Sequence, residues 1–138
     1  MSFTKRFDNT PTEQIRNEVY LQLIAADAGL SPAIQETDFR TYIRMEDVGE
    51  MCIADKYGEN IRNIPRYIRE DIVEALWKLY SVYGIQYIDV TPYNFIEKDD
   101  RVWVIDFGHA SQTKTSLDPY LNKMFTEWKL SKWNPRFK

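Results

Sequence analysis

The sequence is short of several residue types, and each shortage closes off a class of chemistry. Cys52 is the single cysteine in 138 residues. No internal disulfide and no thiolate zinc cluster can form from it, and an intracellular, cytoplasmic setting fits. The five glycines, Gly29, Gly49, Gly58, Gly84 and Gly108, are scattered, with no two within eight residues of each other. A glycine-rich loop that brings backbone N–H groups close to phosphate is therefore excluded. No run of about 18 apolar residues occurs, so nothing is expected to span a membrane. Met1–Arg6 lacks the apolar core of a secretion signal. With a net charge of −3, the chain has no basic field, and non-specific nucleic-acid binding is disfavoured.

What remains is the balance of a globular domain. Hydrophobic residues make up 43%, aromatics 14% and charged residues 28%, enough apolar material for one packed core at this length. Helical spacing of Ile15, Val19, Leu23 and Ala26 predicts a helix over Thr12–Asp27, with Thr12 as cap and Gly29 as stop. Strands are expected at Ala33–Glu36 and Thr41–Met45. Glu46–Gly49 reads as a loop or the start of a short helix, and Asp55–Gly58 as a helix end. A long helix over Pro65–Tyr83 carries the stripe Ile68, Ile72, Leu76, Leu79 and Tyr83 and stops at Gly84. Asn94–Glu97 and Arg101–Ile105 read as a hairpin around Lys98-Asp99-Asp100, with Val102 and Val104 on one face. Asp118-Pro119 opens a last helix with Leu121, Met124, Phe125 and Trp128 inward, or as a docking face for another chain. The basic tail from Lys129 to Lys138 is expected to fray, or to meet an acidic partner or RNA.

The residues with the clearest chemistry are Asp89, Asn94 and Asp106. Asp89 and Asn94 lie five apart in Asp89-Val90-Thr91-Pro92-Tyr93-Asn94, and Asp106 opens Asp106-Phe107-Gly108 behind an apolar strand. A hairpin between Asn94 and Asp106 returns its ends side by side, because paired strands run about 4.8 Å apart. Three oxygen-bearing side chains then converge, a donor set that suits Mg²⁺ sharing its shell with phosphate and water.

These segments resemble the protein kinase superfamily. The first resembles the catalytic loop His-Arg-Asp-x-x-x-x-Asn, with Tyr87-Ile88 in place of His-Arg, and the second is an intact Asp-Phe-Gly. Asp-Val-Thr-Pro-Tyr-Asn is most similar to the small atypical RIO-like and piD261-like kinases, which also carry a small hydroxyl residue two places after the aspartate. The resemblance implies an α+β fold, a reduced kinase-like domain over 1–138. Residues 1–48 would be a residual N-lobe and 49–138 a minimal C-lobe. It implies ATP and Mg²⁺ as cofactors, with Asp89 accepting or orienting the proton of the attacking hydroxyl and Asn94 and Asp106 holding the metal.

Upstream, the resemblance places Glu18 where a kinase glutamate pairs with an ATP-binding lysine, and Lys5 where that lysine would stand. A surface Glu18 and a solvated Lys5 fit the same residues. Met45-Glu46-Asp47 resembles the hinge whose backbone meets adenine, and also an ordinary strand end. The resemblance is incomplete. The phosphate lid is missing, no Ala-Pro-Glu follows Asp106, and the helical substrate-binding half is reduced. Ser111, Thr113, Thr115 and Ser116 lie where an activation segment would run, as phosphosites or as a plain polar loop. His109 follows Gly108 directly, touching phosphate or substrate, or simply packing. Three readings stay open. One is a minimal kinase acting on a Ser/Thr hydroxyl of a protein substrate. Another is a catalytically weak or inactive module that binds nucleotide or a protein partner. The last is a structural protein that keeps the hairpin for packing.

Overall fold

A computed structural model of the chain describes residues 2–49, 51–112 and 116–137. The fold is α+β, with two small antiparallel sheets and helices around them. Strands β1 (Ser2–Arg6), β2 (Ile34–Thr37) and β3 (Tyr42–Glu46) form a sheet of order β1-β3-β2. Lys5 stands opposite Ile43 and Phe3 opposite Met45, so Lys5 and Phe3 share a face. The β2–β3 turn is held by Asp38, whose carboxylate accepts the N–H groups of Arg40 and Thr41. β2 and β3 each sit one residue later than the spacing predicts, within the fraying of any strand end.

Helix α1 (Thr12–Asp27) packs on this sheet through Ile15 and Val19, which cluster with Ile43 and Met45. Further along, Leu21 and Ala25 enter a second, larger core. The expected apolar stripe is only half present. Leu23 is 43% exposed, whereas Glu18 and Gln22 are buried beside Ile15, Val19 and Ala25. Two polar residues on the inner face displaced the periodicity. Gln22 spends its amide on the Pro32 carbonyl at 3.1 Å. Thr12 does not cap the helix. Pro11 occupies that place, and no side chain satisfies the first N–H groups. Gly29 does end it, at φ 77°, with its N–H on Ala26 and that of Leu30 on Ala25.

The larger core gathers around α3 (Arg66–Tyr83), whose Ile68, Ile72, Leu76 and Leu79 are buried as the stripe predicts. Against it lies the hairpin of β4 (Phe95–Lys98) and β5 (Arg101–Val104). Asp99 and Asp100 both have positive φ, the two-residue turn that matches strand twist. Val102 and Val104 face inward, and the free edge of β5 is closed by Asp71, which accepts the Val102 N–H at 2.7 Å. Helix α2 (Ile53–Tyr57) and a turn of 3-10 helix at Ile61–Asn63 join the two regions. α4 (Pro119–Glu127) starts as expected, with Asp118 accepting the Tyr120 N–H. Its Leu121 and Met124 are buried, while Trp128 stays exposed.

The tail contradicts the expectation of fraying. Leu130 and Asn134 are buried. The Asn134 N–H bonds the Val90 carbonyl at 3.0 Å and its side-chain amide bonds the Ile88 carbonyl at 2.8 Å. Trp133 donates to the Glu59 carbonyl, and Arg136 grips Asp118 with two bonds. Local composition favoured a solvated tail, but one buried amide and one two-pronged ion pair outweigh it. Lys138 lies outside the described residues, as do the potential phosphosites Thr113 and Thr115. Ser111 pairs with Gln86 through two backbone bonds. No helix among the described residues is long and apolar enough to cross a membrane.

Glu97 on β4 is a junction that the sequence did not announce. Its carboxylate accepts from Lys56 at 2.9 Å, Tyr57 at 2.7 Å and Tyr67 at 2.5 Å, tying α2 and α3 to the hairpin. Burial opposes its ionisation, but the three donors outweigh burial and hold the carboxyl below its ordinary value of 4.5. Its stabilisation is complete above that value and vanishes as pH falls through the lower folded one. A Glu97→Ala variant is expected to melt below the parent at pH 7, with the gap narrowing on acidification below the glutamate range. Asn134→Ala removes the side-chain bond to the Ile88 carbonyl, which keeps the Val90 N–H, and is expected to cost about 1 kcal/mol in chemical denaturation.

Candidate functional site

Two elements far apart in sequence meet at Lys5. From β1 its ammonium reaches Glu18 of α1 at 2.5 Å and Asp106 at 3.2 Å. Burial alone would lower the Lys5 pKa, but the carboxylates of Asp106 and Glu18 outweigh it and keep the ammonium charged. Glu18 is only 5% exposed. Burial raises its pKa, and the attraction of Lys5 offsets this only in part because Asp106 adds a second negative charge. One cation thus serves two carboxylates, a local excess of negative charge that suits a further cation.

Asp106 follows β5 with φ at 62°. A non-glycine residue in this region is held there by its surroundings, a strain found at functional sites. Its Oδ1 accepts the Gly108 N–H at 3.1 Å as well as Lys5. Gly108 lies close against both carboxylates, since a Cβ there would be 3.1 Å from Glu18 Oε1 and 3.2 Å from Asp106 Oδ1, and those side chains would have to give by a few tenths of an ångström. The hairpin brings Asn94 beside this turn, with the Ile105 N–H bonded to the Asn94 carbonyl at 3.0 Å. The Asn94 amide nitrogen donates to the Asp89 carbonyl at 2.9 Å. That bond orients the amide and leaves its oxygen as an acceptor.

Asn94 and Asp106 line a cleft of about 530 Å³ between the two sheets. Phe3, Met45, Val48, Ile96 and Ile105 give it apolar walls, and Lys5, Asn94 and Asp106 give it polar groups. Glu46 lines it too, but its carboxylate accepts the Ala33 N–H at 3.0 Å and its own N–H bonds the Ala33 carbonyl. Among the described residues no three His, Cys, Asp or Glu side chains could hold a metal ion by themselves. A divalent ion here would take Asp106, the Asn94 amide oxygen and oxygens from outside the protein, the partly filled shell that Mg²⁺ accepts. A second concavity of about 510 Å³, lined by Arg66, Arg69, Glu70, Glu127 and Trp128 among others, lies elsewhere and mixes both charge signs.

Asp89 is reached from neither concavity. Its carboxylate meets His109, with Nδ1 at 3.3 Å from Oδ2. Behind it, Tyr87 is fully buried against Phe95 and Phe107 and donates its hydroxyl to the Ile105 carbonyl at 2.5 Å. Burial first, and then the nearby Asp106 and Asp89, push that phenol well above its ordinary value. Tyr87 thereby pins the loop carrying Asp89 to the strand end carrying Asp106. Reading the sequence singled out Asp89, Asn94, Asp106, Lys5 and Glu18; the fold joins Lys5, Glu18 and Asp106 and puts Asn94 and Asp106 on one cleft, while the Asp89 carboxylate turns to His109. That reading missed Tyr87 and Asn134, whose only signal was their position in or opposite the loop.

Lys5→Met is expected to destabilise the protein at neutral pH by leaving Glu18 buried without its cation. Glu18 titrates above its ordinary value of 4.5, so its charged form is the costly one. The deficit is full above the folded pKa and is relieved as pH falls through it toward 4.5. Melting temperatures of parent and variant from pH 8 to 4 check this. Tyr87→Phe removes one buried hydrogen bond and is expected to cost about 1 kcal/mol.

The chain was also compared with known proteins. No family model matches it. Two curated mouse (Mus musculus) proteins, sperm motility kinase 2B and sperm motility kinase 2A, are each 34% identical to it over 110 residues, 72% of this chain. The alignments cover 22% and 21% of those proteins, so the chain spans about a fifth of the length of the curated relatives it matches. This partial likeness links the chain to the protein-kinase-like superfamily and does not reach the RIO-like or piD261-like kinases in particular.

Proposed function

We propose that the chain is a reduced kinase-like domain, divided as 1–48 and 49–138, that binds ATP with Mg²⁺ and transfers a phosphoryl group to a Ser/Thr hydroxyl of a protein. The carrying observation is Lys5 bonded to both Glu18 and Asp106 at a cleft that Asn94 also lines. In this reading the apolar walls take the base, with the Met45–Asp47 segment at its edge, and Lys5 meets phosphate oxygens. Glu18 holds Lys5 in place. Asn94 and Asp106 would hold the ion, which when bound neutralises charge on the phosphates. Asp89 receives or orients the hydroxyl proton of the acceptor.

A second reading, a module that binds nucleotide or a protein partner without turnover, is favoured by two observations. No glycine-rich segment is present to cover the phosphates. The carboxylate of Asp89 is only 11% exposed. A missing donor at the phosphates costs about 3 kcal/mol of transition-state stabilisation, which slows transfer without abolishing binding.

A Mg-ATP titration followed by melting temperature separates these readings. At a hundredfold excess over Kd, binding stabilises by about 2.7 kcal/mol, a shift expected in the parent and lost in Asp106→Asn. Asp89→Ala is expected to keep the shift and lose transfer of labelled phosphate. No shift at millimolar Mg-ATP would leave only the structural role. A shift without transfer would leave the binding module.

A further inference from the structure

We infer that His109 is a positioning residue for Asp89, and that Phe137, from the far end of the described chain, holds His109 in that role. The inference rests on the phosphoryl-transfer reading above and adds to it parts that the loop itself does not contain.

An acceptor-orienting carboxylate works only if its rotamer is held. His109 is the one hydrogen-bond partner that the Asp89 carboxylate has among the described residues, through Nδ1 and Oδ2. The bond occupies Oδ2 and leaves Oδ1 for a hydroxyl. Because an ionised carboxylate only accepts, the proton belongs on Nδ1. At 3.3 Å the bond is long, and the imidazole side chain is 59% exposed. Left to itself, such a ring would sample other rotamers.

Phe137 supplies the restraint. Its ring lies 5.0 Å from the imidazole, tilted by 51°. Phe137 reaches this position because the segment before it is anchored at Asp89. Asn134 bonds the carbonyls of Ile88 and Val90, the residues on either side of Asp89. The Phe137 N–H then closes a turn on the Asn134 carbonyl at 3.1 Å, and Arg136 between them is fixed on Asp118. One short segment therefore holds the Asp89 backbone on both sides and, through Phe137 and His109, its carboxylate.

The test uses the full chain with labelled Mg-ATP and a Ser/Thr peptide library as acceptor. His109→Ala is expected to lower kcat about tenfold, with KM for ATP and the Mg-ATP melting shift unchanged. His109→Asn, whose amide N–H takes the place of Nδ1–H, is expected to recover most of the rate. Phe137→Ala should fall between the two. Since His109 is the only histidine, its imidazole protons give an identifiable NMR signal. Phe137→Ala is expected to move that signal as the ring current is lost. A kcat unchanged or raised in His109→Ala, in a parent that transfers phosphate, overturns the positioning role alone. An imidazole signal that Phe137→Ala does not move overturns the restraint. A parent that transfers no phosphate, with or without a melting shift, overturns the phosphoryl-transfer reading, and this role with it.

Discussion

The three-way contact of Lys5 with Glu18 and Asp106 is the constraint on which the rest of the structure turns. It joins the first strand, the first helix and the turn after the last strand, segments up to 101 residues apart in sequence. Glu18 is buried on a helix face that otherwise packs against apolar residues, and a carboxylate there is costly without a cation. Lys5 must therefore sit inward, which sets the face of β1 and so places Phe3 along the cleft. Asp106 must come close enough to share the ammonium, which fixes the end of the hairpin. The charge is not balanced, since two carboxylates share one cation, and the imbalance leaves an excess of negative charge that suits a further cation.

Around that contact the protein stiffens the loop between α3 and the hairpin from several directions. Tyr87 ties it to Ile105 from inside the core, Asn94 ties back to the Asp89 carbonyl, and Asn134 ties it from outside. Pro92 accepts the Ala54 N–H, adding α2 to the set. A loop with so little regular structure of its own is thus held by side chains and backbone from every neighbouring element.

Much of this could be read along the chain. The stripe of α3, the hairpin with Val102 and Val104 inward, and the Asp118-Pro119 helix start all follow from local pattern, and the structure repeats them within a residue or so. Thr12 as a cap, Leu23 as a core residue and a frayed tail did not survive. The stripe of α1 failed because Glu18 and Gln22 occupy inner positions where periodicity counts only apolar residues. The tail failed because its anchors are polar. Asn134 is buried for its hydrogen bonds and Arg136 is fixed by Asp118, and no hydropathy pattern registers either.

By itself the sequence determined the α+β character, the positions of the long helices and the hairpin, and the spacing that sets Asn94 beside Asp106. These depend on neighbours within a few residues or on one short hairpin, where periodicity and turn chemistry dominate. Only the tertiary structure decided that Glu18 is buried rather than solvated, that Lys5 faces it, that Gly108 leaves room for two carboxylates, and that Asn134 and His109 attend Asp89. Those facts come from pairings across long stretches of chain. There, the cost of leaving a buried polar group unpaired outweighs what the local sequence prefers.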